Sequence, residues 1–258
     1  MGHGLSRVLA VASNTFRETV RERVLYNLVF FAIVMTLSGL LLGHLSIRQD
    51  EKIIKDVGLA SMDLFGTLIA IFVGVGLVTK EIEKRSLFPL LAKPVGRDEF
   101  LAGKFLGLTF TLAVNVGVMA AGLYLTLLAT GRHLDPTLLK AIYAILLGLA
   151  LTVSVALLFS VFTSAALASI CTVTLVVAGR FSDVVKNMQE VAPEAPRWLV
   201  LGLYYALPNF RNFDIKNRVV YGDPVTLGDL SWITLYALVY AGAVLGIALA
   251  GFRSRDLN

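Results

Sequence analysis

The chain has 258 residues, of which 57% are hydrophobic and only 16% charged, with a mean hydropathy of +0.77. Soluble domains carry roughly 25% charged residues, so this balance points to an integral membrane protein. The net charge of +5 and pI near 9.4 raise nucleic-acid binding, but the basic residues flank apolar runs, where they serve cytoplasmic loops and anionic headgroups. Nucleic acid is therefore excluded as a partner.

Taken in chain order, 5–24 comes first. Leu5, Leu9, Ala12, Phe16, Val20 and Val24 recur near a four-residue step, with Arg7, Asn14, Arg17, Glu18 and Arg21 largely on other faces. That pattern predicts a helix lying in the inner membrane interface. Six apolar segments of about the 20 residues a crossing requires follow. They are 25–44, 57–78, 106–130, 138–162, 164–179 and 231–252, which makes an all-α membrane domain over 1–258. Only Thr163 separates the fourth from the fifth, so a tight turn is expected near Ser160 to Ser164. The segment 180–230 is an outer loop. Its run at 198–207, with Trp198, Tyr204 and Tyr205, is too short to span and fits a re-entrant or interfacial helix that Pro208-Asn209 ends.

Segment 80–104 concentrates charge between the second and third spans. Lys80, Lys84, Arg85, Lys93, Arg97 and Lys104 stand against Glu81, Glu83, Asp98 and Glu99. Lys and Arg near span ends mark the cytoplasmic side. Arg7, Arg17, Arg21, Arg23, Arg253 and Arg255 join them there, so both termini are expected in the cytoplasm.

Chemistry is sparse. Six residues separate Gly96 from Gly103, and Phe105 follows Lys104 where a Walker A loop needs a hydroxyl. Any ATP chemistry must come from another polypeptide. Paired carboxylates, nucleophile triads and an HExxH motif are all missing, so the chain is not expected to be an enzyme. Cys171 is alone, and His3, His44 and His133 lack ligand spacing, so no metal site is expected. Gly103 and Gly107, at i and i+4, suit close helix packing. Asp63 stands about 9 Å into its span, either hydrated or paired, or else on a translocation route. Asn115 carries the same reading more weakly.

The order Glu81, Ser86-Leu87-Phe88, Leu90-Leu91, Pro94-Val95, Arg97, Phe100 and Gly103-Lys104 resembles the permeases of type-2 ABC transporters, the exporter-type half-transporter family. The interfacial helix, six spans, Leu207-Pro208-Asn209-Phe210 and a Phe252-Arg253-x-Arg255-Asp256-Leu257 tail extend the resemblance over most of the chain. Arg85 stands where such permeases often have glycine. The resemblance implies a coupling helix at 81–91, docked in the cleft of a cytoplasmic ATPase. Glu81, Glu83, Lys84 and Arg85 would lie on it, Leu87, Phe88 and Leu91 would be its apolar contacts, and Pro94 would end it. Arg97 would bind a carboxylate or carbonyl of the partner, or a lipid phosphate. The resemblance also implies two ATPase subunits carrying ATP and Mg, no cofactor in this chain, a second permease copy or paralogue, and a bacterial inner membrane. An ion-gradient-driven transporter is an alternative that calls for a midplane charge cluster and interrupted helices in repeated positions. Asp63 is isolated instead. A membrane anchor or assembly protein is the other alternative.

Overall fold

The computed structural model describes residues 2–22, 30–31, 33–34, 50–83, 96–132, 134–182 and 207–254, with backbone alone at 2, 3, 20–22, 50, 80–83 and 254. All regular structure among them is helical. We label the helices α1 (Gly2–Glu22), α2 (Asp50–Glu83), α3 (Arg97–Ala129), α4 (Leu138–Phe162), α5 (Ala165–Arg180), α6 (Lys216–Tyr221) and α7 (Leu227–Ser254). A 3-10 turn, Phe210–Phe213, precedes α6.

Four helices, α2, α3, α4 and α7, are long and apolar enough to cross a membrane. At 16 residues, α5 is shorter than the roughly 20 that a perpendicular crossing needs. Most of the expected first span, 25–44, lies outside the described residues. Within it, Phe30 stands edge-on to Phe65 of α2, and Phe31 is buried against Gly122 of α3.

The helices outrun the apolar segments that announce them. α2 extends 57–78 to Asp50–Glu83, α3 extends 106–130 back to Arg97, and α7 extends 231–252 to Leu227–Ser254. At 34 and 33 residues, α2 and α3 are each about 50 Å long against a hydrocarbon core of about 30 Å. The surplus turns are charged and project beyond the lipid tails. Hydropathy marks only the part of a helix that lipid touches. Segment 80–104, expected as a loop, is accordingly helical on both flanks.

Contacts fix the directions. Gly58 faces Leu123 and Gly74 faces Leu108, so α2 and α3 are antiparallel. Gly66 faces Leu149 and Gly74 faces Ala156, so α2 and α4 are parallel. Val75 meets Ala168 near the start of α5, and Asp63 meets Arg180 at its end, so α5 returns alongside both. The Tyr143–Thr234 and Phe162–Gly251 contacts align α7 with α4. The α4–α5 reversal occurs where the sequence places it. Thr163 and Ser164 are extended, Thr163 Oγ1 donates to the Phe159 carbonyl at 2.9 Å, and the Ser164 carbonyl accepts from Ala168 N at 2.8 Å. Leu59, Met62, Leu123, Leu149 and Leu157 fill the core, while Leu64, Phe72, Phe110, Leu125 and Ile170 point outward as lipid-facing residues do.

Within the 180–230 loop, residues 198–206 lie outside the described residues. The short helix seen there is α6, further along the chain. Before it, the 3-10 turn drops between α4 and α5. Gly179 receives the Pro208 carbonyl and the Phe210 ring, at a point where a Cβ would stand 2.7 Å from Phe210 Cδ2. Asn209 anchors the turn. Its Oδ1 accepts from Ser182 Oγ (2.9 Å) and Arg211 N (3.1 Å), and its backbone N donates to the Tyr236 hydroxyl at 2.8 Å. Phe210, Phe213, Ile215, Val219 and Val220 are buried, so this stretch forms an apolar plug over one end of the bundle.

Candidate functional site

Of the expected coupling residues, the described ones, Glu81, Glu83 and Arg97, fall at the opposite end. Glu81 and Glu83 belong to the last turn of α2, but their side chains lie outside the described residues. So do Lys84, Arg85, Leu87, Phe88 and Leu91 entirely. The shoulder on which that segment lands is described in full.

Arg97, Asp98 and Glu99 open α3. Acids in a first turn complement the helix dipole, and the Glu99 carboxylate accepts from Gly96 N at 3.0 Å. Arg97 finds carbonyl oxygens, but those of its own chain. It donates to the Phe252 carbonyl at 2.8 Å and the Arg253 carbonyl at 3.1 Å, and its guanidinium lies over the Phe252 ring, 5.6 Å from the centroid. The reason is local. The last carbonyls of α7 have no intrahelical donor, and a five-donor fork beside them supplies one. Asp98 pairs with Arg253, and Glu99 stands 3.7 Å from Arg7 of α1. Three consecutive side chains therefore tie the start of α3 to both the first and the last helix.

α1 runs lengthwise beside α3. Val11 packs on Gly103, Ala12 and Thr15 pack on Gly107, and Phe16 meets Phe110 at 5.0 Å. α1 thus follows α3 from Glu99 to Phe110. A Cβ on Gly107 would stand 2.7 Å from the Ala12 carbonyl oxygen, and one on Gly103 would stand 2.6 Å from Val11 Cβ. Small residues and glycines thus line the seam, whereas Leu5 and Leu9 of the apolar stripe are exposed. Water would favour the reverse. In lipid, the apolar stripe can face outward while backbones approach through the glycines. Lys104 is buried beside this seam, 4.0 Å from Glu18 and 5.7 Å from the Phe100 ring centroid.

Asp63 is paired. Arg180 grips it with both arms, at 2.8 and 2.9 Å, and also donates to Thr67 Oγ1 at 3.0 Å. Asn115 is buried in α3, and neither its Oδ1 nor its Nδ2 has a hydrogen-bond partner among the described residues. Asp63 and Asn115 are not brought together.

Sequence reasoning missed Arg180, although a signal existed. Asp63 precedes Thr79 by the same sixteen residues that separate Ser164 from Arg180, which sets them at one depth. It also missed a clasp at the plugged end. Lys55 there bonds Glu51 at 2.6 Å and Asp135 at 3.0 Å, and Tyr124 donates to the Asp135 carbonyl at 3.1 Å.

A family model described as ABC-2 family transporter protein matches residues 9–196, well over half of the chain. The chain belongs to the ABC-2 family. The match spans α1 from Leu9, the coupling segment, Asp63, Asn115 and all of α5. No curated protein matches the chain significantly. An ABC-2 protein is the multi-pass membrane permease component of an ABC transporter, without an ATPase domain, so this chain is not itself an enzyme. Such permeases typically pair with ATPase subunits.

Proposed function

We propose that this ABC-2 permease exports substrate across a bacterial cytoplasmic membrane, as one of two permease copies or paralogues driven by two cytoplasmic ATPase subunits. Both of its termini lie in the cytoplasm. Residues 81–91 form the coupling helix, with Leu87, Phe88 and Leu91 inserted in the ATPase cleft and Glu81, Glu83, Lys84 and Arg85 around them. ATP and Mg are bound by those partners.

The observation that carries this reading is the shoulder at Arg97, Asp98 and Glu99. A push on 84–95 arrives at the start of α3, where charge-assisted bonds reach α7 and α1 together. A closure stroke there moves three helices as one body. Arg97 serves inside the permease as the link to α7. Asp63, held by Arg180, and Asn115, buried without a hydrogen-bond partner among the described residues, are polar positions available to a route between the helices.

Purification in mild detergent should recover a separately encoded ATPase. Substituting Glu83 by Lys, or Leu87 or Leu91 by Asp, should cut transport at least tenfold while ATP binding by the assembly persists. Normal transport in those variants would remove the coupling role.

A further inference from the structure

Beneath the plug, a recess of about 80 Å³ lies between α2, α4, the end of α5 and the 3-10 turn. One water needs roughly 10–15 Å³ of such space, so the recess has room for about six non-hydrogen atoms. Asp63, Thr67, Thr152 and Arg180 form a polar wall, and Ile145, Phe210 and Phe213 an apolar one. Asp63 and Thr67 stand near the middle of α2, and Thr152 near the middle of α4, so the recess lies at the depth of the lipid tails. Polar groups at that depth need partners from the protein or from a molecule held in the recess.

The charges around it are spent. Asp63 is held by Arg180 through two bonds, Lys216 Nζ stands 3.6 Å from Asp214 Oδ1, and Arg211 is engaged as well. A charged guest would have to break one of these pairs where the dielectric is low, and an uncompensated charge there is expensive. The neutral hydrogen-bonding capacity is not spent. Thr111, Thr152 and Thr172 each donate their hydroxyl to the carbonyl four residues back. Thr67 does not. Its oxygen accepts from Arg180 Nη2 at 3.0 Å, and its own proton has no acceptor among the described residues. Each Asp63 oxygen accepts one bond from Arg180 and keeps a lone pair, so donor and acceptor sites stand side by side.

We propose that this recess binds a neutral, hydroxyl-bearing guest, whose oxygen accepts from the Thr67 hydroxyl and whose own O–H donates to Asp63. A hydroxyl group matches this wall because it both gives and takes a hydrogen bond, whereas a carbonyl only accepts and an ammonium only donates. The Ile145, Phe210 and Phe213 side takes the carbon skeleton, in the usual division of labour of a small-molecule pocket. The site stands whether or not an ATPase docks at the other end.

The test uses the full-length chain in phosphatidylcholine nanodiscs, which bring no sugar detergent to compete, and its Thr67→Val and Thr152→Val variants, each checked for an unchanged melting profile. Saturation-transfer NMR reads contact with three small probes: glycerol, which is neutral, lactate, which is an anion, and ethanolamine, which is protonated at pH 7. Transfer to glycerol that falls at least fivefold in Thr67→Val, with lactate and ethanolamine receiving a fifth or less of the glycerol signal, supports the site. No transfer to glycerol, transfer indifferent to Thr67→Val, or equal transfer to a charged probe overturns the proposal. If Thr67→Val does not fold, Thr152→Val decides alone, since the Thr152 hydroxyl lines the same recess.

Discussion

At the scale of single residues, the polar groups divide into those the chain pairs and those it leaves poised. Asp135 belongs to the first kind. Burial alone would push its carboxyl up, but bonds from the Thr137 hydroxyl and amide, with Lys55, outweigh that and hold it below its ordinary value. A carboxyl depressed in the folded state contributes stability above its unfolded pKa and loses it as the pH falls through the folded one. Thermal melts should therefore show Asp135→Asn less stable than the parent at pH 7. The gap should close as the pH falls below about 4, the ordinary aspartate range. A gap constant down to pH 3 would show that charge at Asp135 is not what holds the clasp. Such pairings were poorly legible in the sequence. Asp63 announced a cost that a partner had to offset, but its partner is 117 positions away. Only the length of α5 brings them level. Arg97 announced a guanidinium seeking oxygen, and the nearest oxygens proved to be the end of α7, which no local pattern foretells.

Among elements, α1 against α3 is the seam most sensitive to volume. Its helices touch through Gly103 and Gly107, and adding a side chain to a filled seam costs about 1–3 kcal/mol. Gly107→Leu should lower the unfolding midpoint in detergent and expose Thr15 and Thr19 to hydrogen exchange. Gly76→Leu, where nothing stands within 4 Å of a Cβ, should change little. Equal effects of the two would mean that leucine in the bundle, and not this seam, is the cause. The small-xxx-small spacing was readable in advance, because close backbone approach in lipid depends on missing side chains. The helix ends were not. Charged turns beyond the bilayer look like loop by composition, and local bonds such as Gly96 to Glu99 and Lys55 to Glu51, together with tertiary ones, hold them as helix. The two-residue reversal at Thr163 and Ser164 was legible from length, since about 20 residues suffice for one crossing.

At the scale of the whole molecule, the two ends of the bundle have different construction. One end is capped by an apolar plug. The other gathers α1, the start of α3 and the end of α7 into one charge-linked unit. Releasing α7 from that unit tests its purpose. Arg97→Gln combined with Arg253→Gln should leave ATPase association intact and lower transport several-fold relative to ATP turnover. Transport that tracks turnover in this variant would mean that α7 is not driven from the shoulder. Membrane class and the helical fold followed from composition, because a bilayer admits few solutions. Which helix grips which did not.

The fastening of α1 and α7 to one short stretch has a practical corollary for anyone handling this permease. Whatever is attached ahead of Gly2 or after Ser254, whether an affinity handle or a fluorescent protein, hangs close to the start of α3, the point to which residues 84–95 lead. Bulky fusions at either extremity would crowd the space a motor subunit must enter. Dyes placed near both extremities would make a short ruler for the stroke itself.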